Sequence, residues 1–361
     1  MTQFWVGGYG TDRDGDAEGI GVLAADAGPS TLTYRGVAAP VASPSWLARH
    51  PRLDVVYAAL EGSGTVQAFG RSGESALRPL GPPVVAGDSV CHVAVSPDER
   101  MLVASCYGDG RVIRYGLAED GRLMPAVPDK AAALRAALFG IEHEDAETDA
   151  AAASDPYPTP TGEEPRAPHA HSAVFLPDGR IATTDLGVDL VRIWRRDLTV
   201  DHEVVLPRGT GPRHMVMHPS GHLHVVTEYS CEVFTLASSR DGRWGLASAS
   251  TASPIAQVGF DFPAELAISR DGRTLYTALR GSNTISALRV KGSGEALEPF
   301  ALAESGVDWP RHHLVHEGVL LVAGQRSSTI SAIDLDERTG APRDVRHTTS
   351  APVPTVILPA R

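Results

Sequence analysis

"HVAVSPDERMLVASCYGDGRVIRYGL" (residues 92–117) contains the unit that decides the fold of this chain. An apolar run leads into the polar turn "SPDE", a second apolar run follows, and "GDG" precedes a third. Short apolar runs separated by turn residues predict β-strands joined by tight turns. The unit therefore predicts three consecutive antiparallel strands of one small sheet.

The same unit recurs along the chain. Clear copies are "SAVFLPDGRIATTDLGVDLVRIWR" (172–195), "HMVMHPSGHLHVVTEYSCEVFTL" (214–236) and "ELAISRDGRTLYTALRGSNTISALRV" (265–290), and looser copies begin at Ser45 and His312. In chain order the turns are anchored at His50, Ser96, Leu176, His218, Ser269 and His316. All but one of the intervals are 42 to 51 residues long, and a fourth short strand fits in most copies. A period in the forties with four strands is typical of β-propeller blades.

The two ends of the chain supply one further blade. "FWVGGYG" and the two apolar runs after it give three strands, and the C-terminal "PTVILP" (354–359) supplies the missing first strand. We therefore predict an all-β fold, a single seven-bladed β-propeller domain over residues 1–361. Its ring is closed by pairing of the C-terminal strand with the N-terminal blade, which removes an exposed sheet edge.

One interval is much longer than the others. The anchors Ser96 and Leu176 are 80 residues apart, and the surplus lies at about 128–167. Within it "DKAAALRAALFG" (129–140) predicts a short helix, and the acidic, proline-rich remainder predicts a loop. We expect this insertion to join the fourth strand of one blade to the first strand of the next, and to cover the channel mouth as a lid.

Composition and charge exclude several classes of function. The chain of 361 residues has a net charge of −12, which argues against nucleic acid or an anionic membrane as a partner. It shows neither a secretory leader nor an apolar stretch of membrane length. Its three cysteines, Cys91, Cys106 and Cys231, match no metal-binding spacing and predict reduced thiols. We therefore expect a cytoplasmic protein, whose oligomeric state the sequence leaves open.

Two positions of each blade are expected at one mouth of the channel, namely the start of the first strand and the end of the second. The first position holds Ser45, Cys91, His171, Arg213, Ala264 and Arg311. The second position holds Glu61, Tyr107, Leu186, Glu228, Arg280 and Gln325, with Asp185 just before it. A purely structural repeat would place small or apolar residues here. Columns so rich in His, Arg and Glu therefore predict a small-molecule site.

Four residues of three consecutive blades carry the chemistry that we expect at this mouth. Arg213 and Arg280 provide two guanidinium groups. Either His171 or Glu228 would activate water, and His171 is the preferred proton carrier. Such a set suffices to bind a small anionic substrate and to move one proton, so we predict these four as catalytic. The residues predicted to bind substrate around them are His169, Glu61, Tyr107, Asp185, His214, Arg311 and Gln325.

The histidines do not predict a metal centre. His169 and His171 do not recur as a pair in other blades, and His50, His218 and His316 lie at the opposite turns. The other strand starts offer arginine or small residues, which are poor metal ligands. We predict neither a metal nor another cofactor. A polar channel also occurs in non-catalytic propellers, so an interaction scaffold remains an alternative.

Several motifs together resemble one family. "PHAHSAVFLPDGR", "DLGVDLVRIW", "GPRHMVMHP", "VVTEYS" and "ALRGSNTI" resemble the seven-bladed lactonases, nearly from end to end of the chain. That family includes the propeller-type 6-phosphogluconolactonases and the fungal-type 3-carboxy-cis,cis-muconate lactonizing enzymes. The resemblance implies a metal-independent site at His171, Arg213, Glu228 and Arg280, the residues that the columns select.

The resemblance implies two related activities. The first is a lactonase that hydrolyses an anionic sugar lactone such as 6-phosphogluconolactone. The second is a cycloisomerase that closes a ring by intramolecular addition to a double bond. The same side chains serve both directions, so the sequence does not separate them.

Overall fold

The chain forms a seven-bladed β-propeller, as the repeat predicts. The computed structural model describes residues 2–26, 28, 31–124, 149–150 and 152–360. Within these residues lie 29 strands, numbered β1 to β29 in chain order, and the short 3-10 helix Thr11–Arg13. Each blade is one antiparallel sheet, and its strands a to d run from the channel outwards.

The strands of the first four blades have the following bounds. Blade 1 contains β29 (Pro354–Pro359), β1 (Thr2–Gly8), β2 (Gly19–Ala25) and β3 (Leu32–Pro40), and blade 2 contains β4 (Pro44–Arg49), β5 (Val55–Leu60), β6 (Thr65–Arg71), β7 (Leu77–Pro79) and β8 (Val84–Val85). Blade 3 contains β9 (Val90–Val95), β10 (Met101–Cys106), β11 (Val112–Gly116) and β12 (Asp149–Ala150), and blade 4 contains β13 (Ala170–Phe175), β14 (Ile181–Asp185), β15 (Leu190–Trp194) and β16 (Val200–Val205).

The last three blades have four strands each. Blade 5 contains β17 (Pro212–Met217), β18 (Leu223–Thr227), β19 (Glu232–Ser238) and β20 (Trp244–Thr251). Blade 6 contains β21 (Phe262–Ile268), β22 (Thr274–Arg280), β23 (Thr284–Lys291) and β24 (Ala296–Glu304). Blade 7 contains β25 (Pro310–His316), β26 (Val319–Gly324), β27 (Thr329–Leu335) and β28 (Pro342–Ser350).

The two chain ends meet in blade 1, as predicted. β29 pairs antiparallel with β1, and the register sets Trp5 opposite Leu358 and Val6 opposite Ile357. The C-terminal strand thus becomes strand a of the blade that the N-terminus begins, which confirms the predicted ring closure.

Burial explains why the second strand of a blade has a continuous apolar sequence. All residues of β5 and of β14 are buried, because each strand lies between two strands of its own sheet and between two neighbouring blades. Outer strands such as β28 alternate between exposed and partly buried residues. The hydrophobic core is divided among the blade interfaces, where for example Tyr57 of blade 2 packs in one cluster with Leu102 and Tyr115 of blade 3.

The structure corrects the predicted position of the insertion. β12 (Asp149–Ala150) pairs with β11 as strand d of blade 3, so only residues 152–167 of the segment 128–167 join strand d to the next blade. This connection is held at the rim by Arg166, which lies 2.6 Å from Asp155 and also pairs with Asp189. None of its residues lines the mouth pocket described below. The helix predicted for 129–140 lies outside the described residues, so a lid from that part stays a prediction.

The described residues contain one helical element, the three-residue 3-10 helix Thr11–Arg13. Within the same residues, no helix has the length and apolar composition required to cross a bilayer.

Candidate active site

A β-bulge shapes the channel mouth in every blade. In blade 5, for example, Pro212 pairs with Thr227 and His214 with Val226, so that Arg213 between them has no partner in the ladder. The same irregularity occurs near the start of every innermost strand, at Ser45, Cys91, His171–Ser172, Arg213, Ala264–Glu265, Arg311 and Thr355. A bulge re-aims side chains and is frequent beside active sites.

The bulged residues surround a pocket at the mouth. It has an empty volume of about 260 Å³, including space open to solvent. The residues that line it are Ser45, Trp46, Glu61, Cys91, His171, Arg213, His214, Arg311 and Thr355. Five of the predicted site residues therefore line this one pocket, namely His171, Arg213, Glu61, His214 and Arg311.

Glu228 connects two of the predicted arginines. Its Oε2 lies 2.9 Å from Nε of Arg213 and 2.7 Å from a terminal nitrogen of Arg280. Each guanidinium group is also held by a backbone carbonyl, since Arg280 Nε donates to the oxygen of Phe262 at 2.9 Å and Arg213 donates to that of Ala264. These contacts fix both arginines at the edge of the pocket.

Burial and mutual contact set the charges of this group. Burial alone would raise the pKa of Glu228, but the cations of Arg280 and Arg213 outweigh it and hold that pKa below its ordinary value. Burial and the neighbouring Arg280 lower the pKa of Arg213 to about 10, so Arg213 stays cationic at neutral pH. The three groups together carry one net positive charge.

His171 is a neutral base beside these charges. Burial and the cation of Arg213 hold the pKa of His171 well below its ordinary value. Its Nδ1 is buried and has no hydrogen-bond partner among the residues that the structure describes, and the ring meets that of His214 edge-on at 5.2 Å. A neutral imidazole in the pocket wall is able to accept a proton from a bound water.

The other predicted binding residues do not line the pocket, and each has its own contacts. Tyr107 stacks on His169 with ring centroids 4.4 Å apart, and Nδ1 of His169 is 2.6 Å from the Tyr107 carbonyl oxygen. Gln325 accepts a hydrogen bond from Arg311 at 3.2 Å. Asp185 stands apart, because its Oδ1 accepts backbone N–H groups of His169, Gly187 and Val188. The structure thus gives Asp185 a role in holding the loop after β14 and no place in the pocket.

A second polar layer lies directly beneath the bulged residues. His214 Nδ1 is 3.0 Å from the Glu265 carboxylate, and Nε2 of His312 lies 3.8 Å from the same group. The rings of His92, His214 and His312 surround Trp46 at centroid distances of 4.6, 5.0 and 5.4 Å. Burial lowers the pKa of all three histidines, to about 4 for His312.

The half of the pocket formed by Glu61 and Arg311 is bordered by a residue that the sequence columns missed. Tyr9 donates to Glu61, with its hydroxyl 3.1 Å from Oε2, and its ring lies 5.2 Å from the guanidinium carbon of Arg311. Burial raises the pKa of Tyr9, which keeps this hydroxyl protonated. Tyr9 follows strand b of blade 1, and Thr355 opens its strand a. Extending both columns to the blade split between the chain ends would have found them.

The cysteines and histidines show no metal centre. In the described part of the chain, no cluster of three or more His, Cys, Asp or Glu has a geometry suited to a metal ion. Cys91 lines the pocket, but burial raises the pKa of its thiol to about 12, which makes it a poor ligand and nucleophile at neutral pH. The prediction of a metal-independent site stays a prediction.

Comparison with known proteins identifies the family. Residues 3–359 match the family model described as lactonase, 7-bladed beta-propeller. The chain belongs to this lactonase family. The family named from the sequence motifs is thereby confirmed.

Individual relatives extend over almost the whole chain. A 6-phosphogluconolactonase of Bacillus subtilis (strain 168) is 27% identical over 371 residues, which cover 99% of this chain and 98% of the relative. A crystal structure of a protein from Lactobacillus plantarum has a TM-score of 0.83 at 22% identity and covers 99% of both chains. The periplasmic gluconolactonase of Pseudomonas aeruginosa also has a TM-score of 0.83, at 21% identity, with 99% and 98% covered. At these identities the two structures show a shared fold.

Proposed function

We propose that this protein hydrolyses a sugar lactone that carries an anionic group, and that 6-phosphogluconolactone is the first substrate to test. The observation that carries the proposal is the group formed by Glu228, Arg213 and Arg280 beside the neutral His171. Family membership and the name of the Bacillus subtilis relative support lactone hydrolysis. The comparisons lend no support to the cycloisomerase alternative.

The net charge of the mouth supports an anionic substrate. Arg213, Arg280 and Arg311 face Glu61 and Glu228, and Arg13 lies 3.4 Å from Glu61 at the rim. With Glu265 beneath the pocket, four cations oppose three carboxylates in a chain whose net charge is −12. A positive pocket in an acidic protein raises the local concentration of a small anion.

The proposed reaction needs one water and one proton carrier. His171 accepts a proton from water as the water oxygen attacks the lactone carbonyl carbon. The carbonyl oxygen becomes an oxyanion, which Arg213 and Arg280 stabilise. When the tetrahedral intermediate collapses, the ring C–O bond breaks, and the His171 imidazolium returns its proton to the leaving alkoxide. The product is the open-chain hydroxy acid, whose carboxyl group releases one proton to the solvent and becomes a carboxylate.

Glu228 acts in this scheme by orienting the two arginines. Its Oε2 contacts both guanidinium groups, so this carboxylate is engaged as the anchor that holds them in place. The buried pair of His214 and Glu265 lies behind His171 and fixes the ring of His214 against it.

The direct test is a panel of lactones. Base uptake at constant pH measures hydrolysis above the spontaneous rate for 6-phosphogluconolactone, uncharged gluconolactone and a muconolactone. Of the three lactones, we expect the wild-type protein to accelerate 6-phosphogluconolactone most. Arg213→Met should lose that acceleration. A panel in which the wild-type protein accelerates no lactone would contradict the proposal and favour a non-catalytic scaffold.

We also retain a cytoplasmic location as a proposal. Its support is that Cys91, Cys106 and Cys231 are buried and form no disulfide. Fractionation of the source cells tests it, since recovery in a periplasmic or secreted fraction would contradict it.

A further inference from the structure

The three buried arginines at the mouth differ in their partners, and two of them, Arg213 and Arg311, line the pocket. Arg213 and Arg280 both form an ion pair with Glu228. Arg311 forms no ion pair with any carboxylate among the described residues, although it lines the same pocket. We propose that Arg311 is the centre of a separate anion subsite, which binds a phosphoryl or carboxylate group of the substrate away from the reacting carbonyl. This inference rests on the proposed lactone hydrolysis.

The hydrogen bonds of Arg311 leave most of its donors unused. A guanidinium group has five N–H donors. One terminal nitrogen donates to Oε1 of Gln325 at 3.2 Å, and the guanidinium carbon lies 5.2 Å from the centre of the Tyr9 ring. These two contacts fix the position of the group without neutralising it. The remaining donors match the planar, two-pronged recognition of a phosphoryl or carboxylate group.

The neighbours of Arg311 in the ring of bulged residues are short. Arg311 lies between Ala264 of blade 6 and Thr355 of blade 1, whereas Arg213 on the far side of Ala264 is long. No long side chain therefore separates Arg311 from the pocket that it lines.

The nearest carboxylate does not cancel this charge. Glu61 receives the Tyr9 hydroxyl at 3.1 Å and lies 3.4 Å from Arg13. Glu61 thus has a cation and a hydrogen-bond donor of its own. Arg311 remains as the cation without a carboxylate partner in this half of the pocket.

The two halves of the pocket imply a substrate with two functional groups. Arg213 belongs to blade 5 and Arg311 to blade 7, so a ligand that contacts both spans the mouth. Its reactive carbonyl lies at Arg213 and Arg280, and its charged group lies at Arg311. The substrate class is thus a lactone whose phosphoryl or carboxylate group is carried on the side chain of the ring.

The test compares charged and uncharged lactones in two arginine variants. Arg311→Met removes the charge while keeping the length of the side chain, and Arg338→Met removes an exposed arginine of the same blade at the opposite face. For Arg311→Met we expect kcat/KM to fall about 30- to 1,000-fold on 6-phosphogluconolactone or a carboxylated glucarolactone, mainly through KM. On uncharged gluconolactone we expect no more than about a twofold change, and Arg338→Met should resemble the wild type on every substrate. The charged lactone on which Arg311→Met loses more kcat/KM shows whether the subsite prefers a phosphoryl or a carboxylate group.

Two outcomes would overturn the subsite. One is an equal loss on charged and uncharged lactones, which would place Arg311 in the reaction centre or in the support of the fold. The other is no loss on either. If the wild type hydrolyses no lactone, the proposed function fails, and calorimetric titration with inorganic phosphate decides the subsite alone. We then expect binding by the wild type and Arg338→Met and none by Arg311→Met, and any other pattern rejects the inference.

Discussion

His171 and His50 lie at opposite ends of the propeller channel, and both are buried, with 5% and 2% of their surfaces exposed. His50 closes a turn, where its Nδ1 accepts the backbone N–H groups of Arg52 and Leu53. The ring of His171 instead lines the mouth pocket beside the cation of Arg213. Burial alone therefore does not distinguish the two histidines. What distinguishes them is the place of His171 in a charged pocket, which is the basis of its proposed role.

The charges at the two ends show the same difference. At the turns of the far end, arginines pair with nearby aspartates in solvent, as Arg122 does with Asp120 at 2.7 Å and Arg343 with Asp336 at 2.8 Å. Exposed pairs of this kind contribute little to stability or function. At the mouth, Glu228 and its two arginines are nearly removed from water, where charge interactions are stronger. The account predicts that variants at the mouth change catalysis and that variants at the far end do not.

The largest effect is expected for His171→Ala. Loss of the proton carrier should lower kcat about 100- to 10,000-fold with little change in KM. Circular dichroism should show a folded protein, because the side chain lines a pocket. His222→Ala, a histidine at the far-end turn of blade 5, is the matched control and should keep wild-type kcat. Equal losses in the two variants would place the site elsewhere.

Arg213→Met and Arg280→Met should have the next largest effect. Each removes a buried cation that contacts Glu228, which costs on the order of 2–5 kcal/mol of interaction with the reacting anion. Steady-state kinetics should show a loss in kcat/KM on charged and uncharged lactones alike. A loss limited to charged lactones would instead assign these arginines to the anion subsite. It would contradict the proposal that Arg213 and Arg280 contact the reacting carbonyl and Arg311 the charged group.

The buried histidines predict a loss of stability in acid. Burial holds the pKa values of His92, His171 and His214 well below the ordinary value, that of His312 at about 4, and that of His224 at about 3. Below about pH 6.5 the unfolded chain binds protons that the folded chain does not, so the free energy of unfolding falls as pH falls. Each such histidine contributes about 1.4 kcal/mol per pH unit until its folded pKa is reached.

Urea denaturation at pH 8, 7, 6 and 5 measures this slope. We expect little change between pH 8 and 7 and a progressive loss below pH 6.5. His222→Ala should leave the slope unchanged, because no buried neutral histidine is removed. A free energy of unfolding that is constant down to pH 5 would show that these side chains are protonated in the folded protein.

The smallest effect is expected for metal removal. Exhaustive dialysis against EDTA should leave kcat and KM unchanged, because the proposed mechanism relies on His171, Arg213 and Arg280 alone. Activity that disappears on chelation and returns with one divalent metal would contradict this expectation.

The fold was predictable from the sequence because the repeat appears in each blade. The columns also predicted that His171, Arg213, Glu228 and Arg280 lie together, since equivalent positions of a blade repeat reach the same face, and the structure places them side by side. Their catalytic role stays a prediction. They missed Tyr9 and Thr355, because blade 1 is divided between the chain ends and breaks the period.

Two further predictions, on Asp185 and on the insertion, depended on features that a sequence pattern does not contain. Asp185 precedes its column by one residue, and its carboxylate accepts backbone N–H groups of the following loop instead of facing the pocket. β12 has two residues, too few to show a pattern, so the insertion was assigned to the wrong connection. The bulges that direct Arg213 and Arg311 into the pocket depend on strand pairing, which only the structure shows.

The central claim is that the bulged residues of the mouth act as one catalytic site. The most direct measurement is kcat/KM for lactone hydrolysis by the wild type, His171→Ala, Arg213→Met and the double variant. If two residues stabilise the same transition state, removing the second after the first costs little more. The kcat/KM of the double variant should therefore be close to that of the less active single variant. If the double variant instead shows the full product of the two separate losses, His171 and Arg213 act independently, and the account of a single site is wrong.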